Sequence, residues 1–444
     1  STESQTYDAA GRVATMTGPD GGVTTLEYDA VGRILRKTFP DATTESFTYS
    51  PSGSVLTATN SAGSAVFEYD DHDRLLRLEN VDGSVITYTY DAAGNRASES
   101  VRLAGSPVAT VTAYAYDAMN RLTSITDANG GVTSLAYDAI GNLVSRTLPN
   151  GVRTAYSFDR NSRLTRLSHG NGPLMLADYT YDLNVVGDRV RVTEAVSGEA
   201  AEYDYDDLRR LVRERYFDDR SVKVFEQSYE YDAVGNRTAR IDSSGTRTTY
   251  RYDNADKLLS QGSISYEYDA SGNLRVARGP SAAARYLFDP EDQLIRVLRD
   301  GRETRYTYDA RGERIERTSG GSSRRYLVDP VSPSGYSQVL ADYASAGDAT
   351  RYTFGLERVS RDDGVARYYH ADASENVRLL TDSTGTVTDR YDYMAFGQLR
   401  SVSGASPNLY GFAGEHFDPD ADLTYLRARY YDPVIGRFIS RDPF

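Results

Sequence analysis

The chain has 444 residues, a formal net charge of −14 and no cysteine or tryptophan. It therefore holds no disulfide, cysteine-bound metal or thiol nucleophile, and its net field repels nucleic-acid phosphates and anionic membranes alike. No apolar run approaches the ~20 residues of a membrane span, although 39% hydrophobic residues suffice for a core.

Tyrosine is the unusual residue, with 36 Tyr against 13 Phe. Its ring suits a pleated face and its hydroxyl a wet edge, which predicts an all-β protein. Ser1 opens in polar sequence that runs straight into Tyr7-Asp8, with no signal-peptide pattern. It reads as a start in mid-repeat within a longer chain.

Tyr-Asp then recurs at Tyr28, Tyr69, Tyr90, Tyr116, Tyr137, Tyr181, Tyr205, Tyr231, Tyr252, Tyr268 and Tyr308. Tyr49-Ser50, Phe158-Asp159 and Phe288-Asp289 stand where further copies fall due. The commonest interval, 21 residues as from Tyr7 to Tyr28, fits one hairpin per unit. In Tyr88-Thr89-Tyr90-Asp91-Ala92-Ala93-Gly94-Asn95-Arg96, period two puts both tyrosines on one strand face. The Asp then bonds backbone N–H groups ahead of it, Gly takes a positive φ, and the following Arg is in reach of the Asp. A second turn lies half a period away, as in Asp82-Gly83 and Asn129-Gly130. Spacing loosens between Phe158 and Tyr231, where insertions are expected in the turns. The array runs over residues 1–330, and Pro, Ser and Gly from Pro330 onward mark a change of organisation into 331–444.

The final stretch carries three Asp-Pro steps, at Asp418-Pro419, Asp432-Pro433 and Asp442-Pro443, around a Tyr/Arg-rich run: turn chemistry around a strand pair. Tyr425-Leu426-Arg427-Ala428-Arg429-Tyr430-Tyr431-Asp432-Pro433, then Gly436-Arg437-Phe438 and Arg441-Asp442-Pro443, closely resembles the core segment that closes Rhs and YD-repeat proteins. Tyr368 to Asp382 and Tyr391 to Gly397 resemble the upstream part of that core, with Glu375 where the family usually has Gly, a departure that predicts an altered turn.

The resemblance implies tandem β-hairpin YD repeats wound as a spiral sheet into a hollow shell, closed by an Rhs-type core domain. A Tyr-rich inner wall with polar edges would suit a wet cavity better than a dry core. Bacterial members of the family enclose a variable C-terminal toxin and cut the chain just past the last Asp-Pro; the teneurin receptors are adhesion proteins. The implied function is encapsulation and delivery of a polypeptide toxin, the alternative a surface adhesion or wall-binding module without a cut. Carried over by position, Asp418 and Asp442 are the acids of an aspartyl-type self-cleavage, supported by Arg427, Arg429 and Arg437. Asp422 replaces the Gly that normally follows the first Asp-Pro.

The implied partners are the enclosed cargo, a second YD-repeat subunit or secretion machinery, and the implied location is outside the bacterial cell or on its surface, exported within a longer chain. No turnover of external substrates is expected. Nor is a cofactor or metal: His72, His169, His370 and His416 are scattered without a zinc-binding pattern.

Overall fold

The computed structural model describes residues 3–442. Pro443 and Phe444, and the cut expected beyond them, lie outside the described residues. An antiparallel sheet of 38 strands runs from Ser4 to Ser403, continuing through Pro330, and a separate four-stranded sheet follows at His416–Asp418, Leu423–Leu426, Arg429–Asp432 and Arg437–Phe438.

Each repeat is a hairpin whose turn is set by its aspartate. At Asp29 the backbone N–H bonds the Arg33 carbonyl at 3.0 Å, and Oδ1 accepts the N–H groups of Val31 and Arg33 at 3.0 and 2.9 Å. Gly32 closes the turn at φ 94°, and the ladder slips there, so that Glu27 faces Arg36 but Tyr28 faces Ile34. This is a type I turn with a left-handed residue and a bulge, a device that also strengthens strand twist.

The arginine does more than reach back. Arg33 Nε donates to Asp29 Oδ2 at 2.6 Å, its Nη1 to the Ser50 carbonyl of the next unit at 2.8 Å, and its guanidinium covers the Tyr49 ring at 4.7 Å. Tyr49 in turn donates its hydroxyl proton to the Ile34 carbonyl at 2.7 Å. Arg12 and Tyr28 repeat the arrangement one unit earlier. Tyrosine and aspartate adjoin in the motif because the arginine of one unit must grip both the turn and the ring of the next.

Between Phe158 and Tyr231 the structure corrects the expected placement of the insertions. Strands Leu164–Asn171, Leu174–Leu183 and Lys223–Tyr231 have 8, 10 and 9 residues, against 6 in Val23–Tyr28. Added residues extend the ladder because each brings a further pair of backbone bonds, and the Asn171 to Leu174 turn stays tight.

The sheet winds past its own beginning. Lys37 pairs with Glu291 at 2.7 Å, Asn60 Nδ2 donates to the Tyr308 carbonyl at 3.1 Å, Arg96 pairs with Asp329 at 2.7 Å, and Asn150 Nδ2 bonds the Asp382 carbonyl at 2.8 Å. The Tyr216 hydroxyl meets the Tyr393 carbonyl at 3.3 Å. An advance of 179 residues in the first winding, from Lys37 to Tyr216, is matched by 102 in the second, from Glu291 to Tyr393. The second winding therefore turns more tightly.

Three apolar clusters lie between the windings and under the terminal sheet. Leu78, Ile86 and Tyr88 meet Leu327, Tyr343 and Tyr369; Leu167 and Tyr179 meet Val359 and Leu379; Tyr266 and Tyr306 meet Leu423 and Tyr430. Apart from Tyr179, which also lines a cavity, these tyrosines are packed and not set in a wet wall, because the second winding and the terminal sheet cover their face. The first four strands, from Ser4–Tyr7 to Ile34–Thr38, contain no buried residue.

Candidate functional site

Strand His416–Asp418 ends on Asp418, which is 0% exposed. Its carboxylate accepts from Arg317 Nε and Nη2 at 2.8 and 3.0 Å, from the Tyr306 hydroxyl at 2.6 Å and from the Asp420 N–H at 3.0 Å. Tyr306 and Arg317 are opposite each other on adjacent strands, Arg302–Tyr308 and Arg314–Ser319, so one face of the second winding presents both to the terminal sheet. A two-pronged guanidinium contact holds a carboxylate in both position and plane.

Beside it lies a second buried group. Arg314, 2% exposed, donates to the Tyr430 hydroxyl at 2.9 Å and to His416 Nδ1 at 3.3 Å, with its guanidinium 3.9 Å from the centre of the Tyr425 ring. Aromatic faces solvate its charge here. Burial, with the charges of Arg314, Arg317 and Arg358, holds the His416 imidazole well below its usual pKa, so it stays neutral. His416 supports no carboxylate.

Asp442 is set differently: 57% exposed and paired with Arg429 Nη1 at 3.2 Å. Arg429 also covers the Phe438 ring at 3.8 Å. The other expected arginines go elsewhere. Arg427 pairs with Glu415 at 2.8 Å and donates to the Ser337 carbonyl at 3.0 Å. Arg437 ties the terminal sheet to two repeat turns, through Asn236 Oδ1 at 3.2 Å and the Asp256 carbonyl at 2.9 Å. One of the three thus lies against a predicted acid. Arg317 and Tyr306, the side chains that grip Asp418, were not found from sequence; alternation along Arg314-Ile315-Glu316-Arg317 marks a strand but names no partner 101 residues away.

The two departures from the family pattern are absorbed without loss of the turns. Glu375 takes φ 61°, and its turn still closes through the Asp372 N–H to Asn376 carbonyl bond at 3.0 Å, so the expected alteration does not occur. Asp422 takes φ 55° and pairs with Arg299 at 2.9 Å. A side chain in the left-handed region costs energy that glycine would avoid, and the surrounding bonds offset it.

A cavity of about 370 Å³ opens between the lengthened strands and the second winding, lined by Tyr181, Tyr203, Arg378, Asp392 and Arg400 among others. Of its acids, Asp392 is bonded by Arg378 at 2.6 Å and by Arg400. Chemically, Asp418 is arranged as an acceptor of fixed orientation, while Asp442 stands open to water. No group of three or more acidic or histidine side chains among the described residues could hold a metal, and no helix among them is long and apolar enough to cross a membrane.

The sequence profile described as "Teneurin YD-shell" matches residues 1–169 and 180–444. The tRNA3(Ser)-specific nuclease WapA of Bacillus spizizenii is 30% identical over 54% of this chain and 10% of its own length. Double-stranded DNA deaminase toxin A of Burkholderia cenocepacia is 28% identical over 60% of this chain and 20% of its own, and mouse Teneurin-4 is 26% identical over 48% and 8%. This chain thus spans a fifth or less of these relatives. Among solved structures, TcdB2-TccC3 superimposes with a TM-score of 0.68 at 17% identity, covering 99% of this chain and 28% of that one, which shows a shared fold.

Proposed function

The chain belongs to the teneurin YD-shell family, and from that premise we propose that it is the closing part of a β-shell that holds and delivers a polypeptide cargo and cuts its own chain near the C-terminus. Two toxins among its relatives, the Burkholderia deaminase and the Pseudomonas aeruginosa protein Tse5, support a toxin as that cargo. A polypeptide cargo, with a second YD-repeat subunit or a secretion machine as further partners, implies export from a bacterial cell. Residues 331–444 are the proposed core domain and 1–330 the repeat body.

The observation that carries this reading is the buried Asp418, pinned by Arg317 and Tyr306 where the terminal sheet enters the second winding. Asp418 would serve as the first acid, able to take a proton from water once the bonds from Arg317 and Tyr306 loosen, and Asp442 as the second. Its pairing with Arg429 supports that arginine as a positioning group. The test is the intact mass of the full-length gene product beside Asp418→Asn and Asp442→Asn variants. A wild type split just past Phe444 with both variants whole is the expected result. An uncut wild type overturns it.

A second reading, adhesion without cleavage, is favoured by the unlike settings of the two acids, one buried against a guanidinium and the other over half exposed. An uncut wild type would select it.

A further inference from the structure

We propose that His169 and His370 form an acid-released latch between the two windings of the sheet. His169 lies on strand Leu164–Asn171 of the first winding and His370 on strand Ala366–Ala371 of the second. Their rings meet edge to face with centroids 5.1 Å apart, and both residues are fully buried.

The hydrogen bonds define the protonation state. His169 Nε2 faces the Ala371 carbonyl at 3.1 Å, and since a carbonyl only accepts, this nitrogen carries the proton. Its Nδ1 then accepts from the Thr154 hydroxyl at 3.0 Å. His370 Nε2 lies 2.8 Å from Thr381 Oγ1, the oxygen that Asn150 Nδ2 reaches across the seam at 2.8 Å. His370 Nδ1 is buried with no partner. A second proton on His169 would turn the Thr154 hydroxyl away from its present role, and one on His370 would be charged beside the other ring.

Nothing packed around the pair would stabilise that charge. Arg146 approaches from the first winding, 2% exposed and paired with Glu357 at 2.6 Å; the Tyr179 ring meets His169 edge-on at 6.4 Å; Tyr369 adjoins His370. Among the described residues no carboxylate is hydrogen-bonded to either imidazole. Burial, then the charge of Arg146, brings His169 down to about 3, and burial, His169 and Arg146 hold His370 well below its usual value.

The sign follows from linkage. With the seam closed both rings are neutral, and with it open they regain ordinary imidazole basicity. Opening therefore takes up protons below about pH 6.5, favoured roughly tenfold per histidine for each pH unit of acidification, so about 100-fold for the pair. Acid releases the latch, and neutral pH closes it. The Arg96–Asp329 crossing has the opposite chemistry: Arg96 holds Asp329 and, at 2.8 Å, the buried Glu99, whose carboxyl burial and Asp329 push above its usual value, so acid tightens this crossing where it opens the latch. The lengthened strand brings the latch into place, since Asn171 at its end reaches the Thr384 carbonyl at 3.1 Å.

This inference is independent of the cleavage reading. Its test is amide hydrogen exchange of the whole chain at pH 7.5 and 5.5, corrected for intrinsic exchange rates, comparing Leu164–Asn171 and Val377–Thr381 with Val85–Tyr90 at the Arg96–Asp329 crossing. The expected result is an opening equilibrium that rises by about 10- to 100-fold at the latch on acidification and does not rise at the other crossing, where the buried Glu99 works in the opposite sense. A His370→Gln variant should lose about half of that pH slope. Parallel responses at the two crossings, or an undiminished slope in a folded variant, overturn the proposal. Should the variant not fold, the comparison of crossings in the wild type decides alone.

Discussion

In the first winding the aspartate turns stand on a rim facing water: at Asp70, Arg74 spans the carboxylate at 2.6 Å and brings its pKa down to about 2, the arginine bond being the main cause. In the second winding the same turn is pressed against the first. Asp289 keeps its backbone bonds to Glu291 and Gln293, both 2.9 Å, but Gln293 stands where the arginine would be, and burial pushes this carboxyl up to about 7. Asp329, the last residue of strand Ser322–Asp329, keeps only the Val331 N–H bond of such a turn and gives its carboxylate to Tyr88 and Arg96 of the first winding. One backbone design thus makes either a wet rim or a docking foot, and what lies opposite decides which.

The comparison breaks most sharply at the Arg96–Asp329 crossing. Asp329→Ala leaves Arg96 buried without its strongest partner and should cost about 3–5 kcal/mol in urea unfolding. A loss below about 1 kcal/mol would mean that docked turns are no more than rim turns. Next comes the pH dependence of Asp289. A carboxyl raised in the folded state favours folding below its ordinary pKa, and that contribution is lost as pH rises through about 7. Asp289→Asn should therefore stabilise the fold by about 1–2 kcal/mol at pH 8 and little at pH 4, as read by thermal midpoints at the two pH values. Glu375→Gly should add about 0.5–1 kcal/mol by relieving the left-handed side chain. The smallest effect belongs to the free rim, where Asp29→Asn should leave the urea midpoint within error; a clear drop would show that rim turns carry the sheet.

The hairpin unit was legible because it is local. Asp29 to Arg33, and Arg33 to the next unit's Tyr49, lie within one period, and turn residues announce themselves by their backbone needs. The terminal strand pair was readable from its Asp-Pro steps for the same reason. What covers the tyrosine face was not, because Tyr88 and Asp329 are 241 residues apart and only the winding joins them. The grip on Asp418 escaped likewise: the arginines nearest in sequence drew attention, yet Arg317 comes from the repeat body. The loosened spacing after Phe158 was visible, but a longer interval does not say whether turn or strand grows. Leu174–Leu183 shows that backbone pairing won.

The tighter second winding has a consequence for how the chain acquires its structure. Each hairpin of the first winding is made of neighbours in sequence and can form as soon as it leaves the ribosome. The crossings that close the shell join residues far apart in sequence, 101 positions between Arg317 and Asp418 and 254 between Lys37 and Glu291. Their loop entropy must be met before any contact repays it, which makes closure the slow, late step. Until the second winding and the terminal sheet are in place, the first winding is an open curl with an uncovered tyrosine face, at risk of pairing with its neighbours.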